Sequence, residues 1–199
     1  MGQVIISIGR EYGSGGHELA VKLAEKLSLP LYDRKLLDSL SDDGDKKEKP
    51  AISERILLRR RHGLTRNTGN AANTTDDTLA ELQFRFIESK AEAGESFVVV
   101  GRCAEKILEG NKALISIFVR AEKSAKIERI KRVYGLNDIE AKAKIVRHDR
   151  QRKAYHNYHS NMKWGDSRAY DLCINSSAQS MEDTLDILYN YVKVRTSAK

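Results

Sequence analysis

The glycine-rich segment Gly9–Gly16 combines residue types and spacing suited to binding phosphate. It follows the apolar, β-branched run Val4–Ile8 and precedes leucines and alanines at helical spacing. A glycine turn between a strand and a helix can aim several backbone N–H groups at one anion, and the helix N-terminus adds partial positive charge. Gly13, Gly15 and Gly16 would let the backbone approach phosphate closely. The segment therefore predicts a phosphate-binding loop, with a tight turn that holds no ligand as the alternative.

The loop differs from the Walker A pattern, Gly-x-x-x-x-Gly-Lys-Ser/Thr, at the position of the lysine. Gly16 occupies that position, so the loop has no lysine to neutralise the β- and γ-phosphates of a nucleotide. Arg10 and His17 are the two candidates for part of the missing positive charge. Glu11, the carboxylate inside the loop, could hold Arg10 or orient a metal-bound water. The residues expected to contact phosphate are Gly13, Ser14, Gly15, Gly16, His17 and Arg10.

The basic segment Arg147–Lys153 is a second candidate for phosphate chemistry. Arg147 and Arg150 are three residues apart and share one face of a predicted helix, and Arg152 follows them. Arginines that close over two phosphorylated substrates would stabilise the charge on a transferring phosphoryl group. The alternative is an ordinary solvated basic helix face. The aromatic and histidine residues after this segment could stack on a base or simply pack the helix: Tyr155, His156, Tyr158 and His159.

Two further residues directly follow predicted strands. Arg102 comes after the apolar run Phe97–Val100, and the carboxyl end of a strand is where α/β proteins bind ligands. A guanidinium there suits phosphate, although pairing with a carboxylate or capping a helix is the alternative. Asp33 follows Leu31–Tyr32 and could face an acceptor or a Mg²⁺-bound water. It could equally cap the helix that comes next.

The elements that would position these residues alternate along the chain. Apolar runs predict strands at 4–8, 31–32, 97–100, 113–119 and 172–174, and amphipathic stretches between them predict helices. This alternation predicts one three-layer α/β/α domain over 1–199 with a parallel sheet of about five strands. The segment 41–75 is polar and predicted to be mobile, apart from a short helix near 52–61.

Composition narrows the class of protein. The chain has 199 residues, of which 40% are hydrophobic and 32% charged, and a net charge of +7. The hydrophobic fraction is enough for one hydrophobic core. The positive net charge favours a polyanionic partner. The chain lacks a run of about 18 apolar residues and a secretion signal, so no membrane association is expected and the cytoplasm is the expected compartment. Cys103 and Cys173 lie in segments predicted to be buried and are too few for a disulfide framework. Nucleic acid binding is a weaker alternative, because no common recognition motif is present.

Several stretches together resemble the cytidylate kinase-like family, a branch of the nucleoside monophosphate kinases with the P-loop fold. The resemblance implies a P-loop nucleotide kinase fold with a helical lid at 136–163 and an acceptor-nucleotide insertion at 41–95. It also implies Mg²⁺- and ATP-dependent phosphoryl transfer to a nucleoside monophosphate, CMP or dCMP first. The stretches that carry it are Gly9–His17, Tyr32–Leu37, Val98–Cys103, His148–Arg152 and Trp164–Ser177.

The resemblance also implies roles for single residues. The donor phosphates would lie on Gly13–His17, and the transferring group would meet the lid arginines Arg147, Arg150 and Arg152. The acceptor would contact Arg102, Asp149 and Asp33, and no residue is assigned to a metal because Mg²⁺ would arrive with ATP. The family has lysine where Gly16 stands and threonine where Glu18 stands. A phosphate-binding protein of the same fold without kinase activity is therefore the alternative.

Overall fold

The computed structural model of the chain describes residues 2–43 and 73–197, with side chains for 2–38 and 79–197. Five strands form one sheet in the order β2-β3-β1-β4-β5, and every neighbouring pair is parallel. This confirms the predicted parallel five-stranded sheet. The strands are β1 Ile5–Arg10, β2 Leu31–Tyr32, β3 Phe97–Val100, β4 Leu114–Arg120 and β5 Leu172–Asn175.

Helices cover both faces of the sheet and complete the predicted three layers. Helices α1 and α7 pack on one face through leucines and valines that include Leu19, Leu188 and Val192. Helices α2, α3 and α4 pack on the other face, where Leu37 and Ile87 are fully buried. The helices are α1 Gly16–Leu27, α2 Arg34–Asp43, α3 Asn73–Glu92, α4 Ala104–Ile107, α5 Lys123–Tyr134, α6 Asp138–His159 and α7 Met181–Ser197, with a 3₁₀ turn at Ser167–Ala169.

Helices α5 and α6 form a hairpin beside the sheet, and α6 lies within the segment 136–163 that the sequence predicts as a lid. Helix α5 ends at Gly135, whose φ is 65°. Helix α6 begins with a capping box, in which Asn137 accepts from the Glu140 N–H and Glu140 accepts from the Asn137 N–H. A small apolar cluster, made by Ile127, Ile130, Ala141 and Ile145, joins the two helices. The hairpin therefore has its own core.

The glycine loop leaves the central strand of the sheet. Strand β1 runs two residues past the predicted end, because its pairing with β4 continues to Arg10 and Val119. Strands β3 and β4 flank β1, so the carboxyl ends of β1 and β3 open into the same crevice. This arrangement puts Arg10, the loop and Arg102 at one edge of the sheet.

Some predictions need correction or fall outside the described residues. Cys103 is buried as predicted, but Cys173 is exposed, because β5 lies at the edge of the sheet. The short helix near 52–61 and most of the segment 41–75 lie outside the described part of the chain. Within that part, no helix combines the length and the hydropathy that a membrane span requires.

Candidate active site

The glycine loop makes a tight turn that requires glycine at two of its positions. Gly13 and Gly15 have φ angles of 83° and 77°, a region that residues with a side chain rarely adopt. A Cβ at Gly15 would also lie 2.6 Å from Met181 Cε and 3.0 Å from Arg129 Cζ. The buried Ser14 hydroxyl donates to the Glu11 carbonyl over 2.9 Å. The loop thus closes on itself and presents the N-terminus of α1, whose N-cap is Gly15.

A charged network ties this loop to the α5–α6 hairpin. Lys126 on α5 donates to Glu11 over 3.1 Å and to Asp149 over 3.3 Å. Asp149 on α6 also accepts from the Tyr12 backbone N–H over 2.6 Å. Glu11 therefore pairs with Lys126 rather than with Arg10. The Tyr12 ring stacks on His148 with 4.2 Å between the ring centroids, which adds an apolar contact to the polar ones.

Four arginines line one cavity of about 680 Å³ beside the loop: Arg10, Arg34, Arg102 and Arg152. The cavity lies at the carboxyl ends of β1 and β3, against α3 and α6. Asp38 on α2 balances two of the four charges, since it accepts from Arg102 over 2.8 Å and from Arg34 over 3.1 Å. Arg152 donates to the Arg10 carbonyl over 3.1 Å and lies over the Tyr12 ring. The cavity therefore carries an excess of positive charge.

Desolvation and mutual repulsion act on the arginine cations. Desolvation of the guanidinium, followed by the charges of Arg152 and Arg102, lowers the pKa of Arg10 to about 9. Desolvation also lowers the pKa of Arg152. An anion bound in the cavity would relieve both effects, because it would replace lost hydration and offset the repulsion between the guanidinium groups.

The inner wall of the cavity carries polar atoms that have no hydrogen-bond partner among the described residues. These atoms are Gln83 Oε1 and His156 Nδ1. The Gln83 amide nitrogen donates to Asp38, which leaves its oxygen as the open acceptor. The Nε2 atom of His156 lies 2.8 Å from the Glu105 carboxylate; because a carboxylate accepts, Nε2 carries the hydrogen of that bond, and Nδ1 has no partner among the described residues. Polar groups of a ligand would satisfy the open atoms of Gln83 and His156.

The site residues predicted from the sequence do not all lie together in the structure. Gly13–Gly16 and Arg10 form the loop and its edge, and Arg102 and Arg152 line the cavity. His17 and Asp33 pair with each other over 3.0 Å, and Asp33 also caps α2 by accepting from the Leu36 N–H. Hydrogen bonds from Leu36 and His17 outweigh the opposing effect of desolvation and lower the pKa of Asp33.

The lid arginines differ in position along α6. Arg152 is partly buried, whereas Arg147 and Arg150 are exposed. Of these three, Arg152 is the one that lines the cavity. A catalytic role for Arg147 and Arg150 stays a prediction, and it requires the helix to approach the loop more closely when substrates bind. Asp149 serves the loop network, and its role toward the acceptor likewise stays a prediction.

Sequence reasoning missed Arg34, Gln83 and Glu105, which also line the cavity. Gln83 had a detectable signal: it stands at helical spacing with Ala80, Ile87 and Ala91 on the buried face of α3, and a polar residue on such a face needs a partner. Arg34 follows Asp33 at a strand end, where ligand residues gather. Glu105 had no comparable signal in its surroundings.

Carboxylates at the glycine loop and at the start of α1 pair with basic side chains. Among the described residues, no group of three or more His, Cys, Asp or Glu side chains has the geometry to hold a metal ion. Glu18, at the threonine position of the related kinases, pairs with Arg129 over 2.9 Å and with Lys22 over 3.4 Å.

Comparison with known proteins agrees with this architecture. The parallel sheet, the loop after β1 and the covering helices are those of the P-loop kinases. The model of the cytidylate kinase-like family matches residues 5–178. The chain belongs to that family, which defines it as a kinase-type protein. No curated protein matches the sequence significantly.

Solved structures match over almost the whole chain. An uncharacterized protein from Eubacterium ventriosum is 38% identical, with 96% of this chain and 99% of that chain covered and a TM-score of 0.76. Shikimate kinase from Bacteroides thetaiotaomicron is 16% identical, with 96% and 98% covered and a TM-score of 0.52. A sugar kinase from Janibacter sp. HTCC2649 is 13% identical, with 96% and 95% covered and a TM-score of 0.54. The last two matches show the shared fold alone.

Proposed function

We propose that this protein transfers the γ-phosphoryl group of Mg·ATP to a nucleoside monophosphate, with CMP and dCMP as the first acceptors to test. One observation carries the proposal. A glycine loop with two positive-φ glycines at the N-terminus of α1 opens beside a cavity that four arginines line and that the carboxylates of Asp38 and Glu105 balance only in part. Two polyanionic substrates that meet at this edge of the sheet would supply the missing negative charge.

The donor nucleotide would bind at the loop. The backbone N–H groups at the start of α1 would donate hydrogen bonds to its phosphates, and Gly13–Gly16 would permit the close approach. Arg129 lies over Gly15 and is a further cation within reach of a bound phosphate. The Mg²⁺ that arrives with ATP would reduce the charge of the phosphates toward the incoming nucleophile.

The acceptor would enter the cavity with its phosphate toward Arg102 and Arg152. A phosphate oxygen of the acceptor would attack the γ-phosphorus of ATP. The new oxygen–phosphorus bond forms as the bond to the β–γ bridging oxygen breaks, and ADP leaves with that electron pair. A phosphate oxyanion needs no base to remove a proton, so the protein's task is to position both substrates and stabilise the developing charge.

The polar inner wall supports an acceptor with hydrogen-bond donors behind its phosphate. Gln83 Oε1 is an open acceptor, His156 Nδ1 has no partner among the described residues, and Glu105 holds the His156 ring through Nε2. Ribose hydroxyls or the amino group of cytosine are donors of the kind required. Tyr155 lies beneath Arg102, with 5.4 Å from the guanidinium carbon to the ring centroid, and would hold that arginine toward the acceptor.

The competing function is phosphate or nucleotide binding without transfer. Gly16 favours it, because the lysine expected at that position is missing. The two functions agree on the ligand and differ in turnover, so they can be separated with purified protein.

The experiment measures ADP release and the phosphorylated product with Mg·ATP and each nucleoside monophosphate. The proposal expects turnover with at least one pyrimidine monophosphate, and none when the phosphate is absent from the acceptor, as in cytidine. ATP binding without transfer to any monophosphate would favour the competing function. Turnover with cytidine and not with CMP would contradict the proposed acceptor class.

A further inference from the structure

Arg10 fills the space that a side chain at Gly16 would need. A Cβ at Gly16 would lie 2.6 Å from Arg10 Cβ and 3.2 Å from Val119 Cβ. The first of these atoms is fixed by the backbone of β1, so rotation of the Arg10 side chain cannot relieve the contact. The loop can therefore carry a side chain at position 10 or at position 16, but not both without moving the backbone.

The far end of the same side chain lies against a second glycine. Arg10 Nη1 occupies the position that a Cβ of Gly101 would take, directly after β3. Gly101 also has a φ of 75°, which disfavours other residues there. The Arg10 side chain thus runs from the glycine loop along the edge of the sheet to the cavity. Gly16 lies against its first carbon and Gly101 lies against its guanidinium group.

The charge of Arg10 is not balanced by the described part of the chain. Its Nε atom is buried and has no hydrogen-bond partner there. Asp33 is the acidic group that acts on it electrostatically, but Asp33 pairs with His17. Arg102, Arg152 and Arg34 add repulsion. A desolvated cation in such surroundings is costly unless a bound anion compensates it.

We propose that Arg10 supplies, from the end of β1, the cation that Walker loops supply from a lysine at the position of Gly16. The two patterns are related by an exchange. In Gly-x-x-x-x-Gly-Lys the first glycine corresponds to Arg10, and the lysine corresponds to Gly16. This loop therefore has an arginine at the position of the first Walker glycine and a glycine at the position of the Walker lysine.

This inference rests on the proposed function for the identity of the anion, which is the phosphate chain of the donor. The guanidinium lines the cavity between the loop and Arg102, so its ligand is the phosphoryl group that passes between donor and acceptor. His17 is the poorer candidate for this role. Its side chain is 55% exposed and is already paired with Asp33.

A four-protein comparison tests the exchange: wild type, Arg10→Gly, Gly16→Lys, and the double variant that carries both changes. Arg10→Gly should lower kcat by about 100-fold or more, as expected when a positioned cation is removed. Gly16→Lys alone should be at least as impaired, because the new side chain meets Arg10 Cβ. The double variant should recover at least tenfold over either single variant.

Binding measurements make the test independent of turnover and of whether the double variant folds. Titration calorimetry with tripolyphosphate and with ATP compares wild type, Arg10→Met and the control Arg120→Met. Arg120 is an exposed arginine at the end of the neighbouring strand β4. Arg10→Met should weaken tripolyphosphate binding at least tenfold with its circular dichroism spectrum unchanged, and Arg120→Met should bind like wild type.

The outcomes separate the inference from the proposed function. If wild type transfers no phosphoryl group but Arg10→Met still loses tripolyphosphate affinity, the proposed function fails and the inference stands. If wild type is an active kinase and folded Arg10→Met keeps both kcat and tripolyphosphate affinity, the inference is overturned. A folded double variant that is no better than either single variant would also overturn the exchange.

Discussion

The Asp149 carboxylate on α6 accepts a hydrogen bond of 2.6 Å from the backbone N–H of Tyr12 in the glycine loop. The same carboxylate lies 3.3 Å from Lys126, which also contacts Glu11. One side chain thus joins the loop, α5 and α6. These contacts fasten the α5–α6 hairpin to the glycine loop.

Asp149→Ala should destabilise the protein, because it leaves the Tyr12 N–H and one side of Lys126 without a partner. Loss of a largely buried charged acceptor costs about 1–3 kcal/mol, which urea unfolding can measure. The control is Asp186→Ala, since Asp186 forms an exposed ion pair with Lys26 that is worth about 0–1 kcal/mol. Equal losses in the two variants would show that the Asp149 network adds no more than a surface pair.

Arg152→Met should impair turnover more than Arg150→Met. Arg152 lines the cavity and touches the Arg10 carbonyl, whereas Arg150 is exposed on the same helix. We expect a fall in kcat of about 100-fold for Arg152→Met and a smaller fall for Arg150→Met, measured at saturating ATP and acceptor. An equal fall in the two variants would mean that α6 turns or closes on the substrates.

Phosphate binding should depend on pH through Arg10. Desolvation lowers the pKa of Arg10 from 12.5 to about 9, so the folded protein releases this proton at a lower pH than the unfolded chain. The contribution of Arg10 to stability therefore rises as the pH increases above about 9. Its attraction for phosphate falls over the same range.

The difference in Tm between wild type and Arg10→Met, with and without pyrophosphate, isolates this effect from other titrating groups. At pH 7.5 pyrophosphate should stabilise wild type more than the variant, and the gap should shrink as the pH passes 9. A difference in pyrophosphate stabilisation between wild type and Arg10→Met that stays constant to pH 10 would contradict the lowered pKa of Arg10.

Gly15→Ala should lose phosphate affinity and more stability than Gly94→Ala. Both glycines have positive φ angles, 77° and 75°, so both variants carry the same backbone penalty of about 1–2 kcal/mol. A Cβ at Gly94 would meet nothing within 4 Å, whereas one at Gly15 would meet Met181 and Arg129. Thermal unfolding and ATP titration of the two variants check this, and matching results would remove the steric argument.

The sheet was predictable because each strand is a short apolar run that signals burial on both faces. Val98 and Val99, for example, are fully buried toward opposite layers. The loop was predictable because its glycines lie close together in the sequence. The strand order and the cavity were not, since Gln83, Arg34 and Arg102 meet only through Asp38 across three elements. The choice between Arg10 and His17 also needed coordinates, because it depends on which side chain faces the cavity.

Asp38 would make binding of the proposed acceptor an exchange, in which a phosphate replaces the Asp38 carboxylate as the partner of the arginines. Its Oδ1 atom accepts from both Gln83 and Arg102, and its Oδ2 atom accepts from Arg34. The arginines of the cavity therefore already have a partner anion that belongs to the protein. An incoming phosphate must compete with that carboxylate for the same guanidinium groups. The measured affinity of the phosphate then reflects the difference between its binding free energy and that of the Asp38 carboxylate. Molecules with too little negative charge to displace Asp38 would not bind.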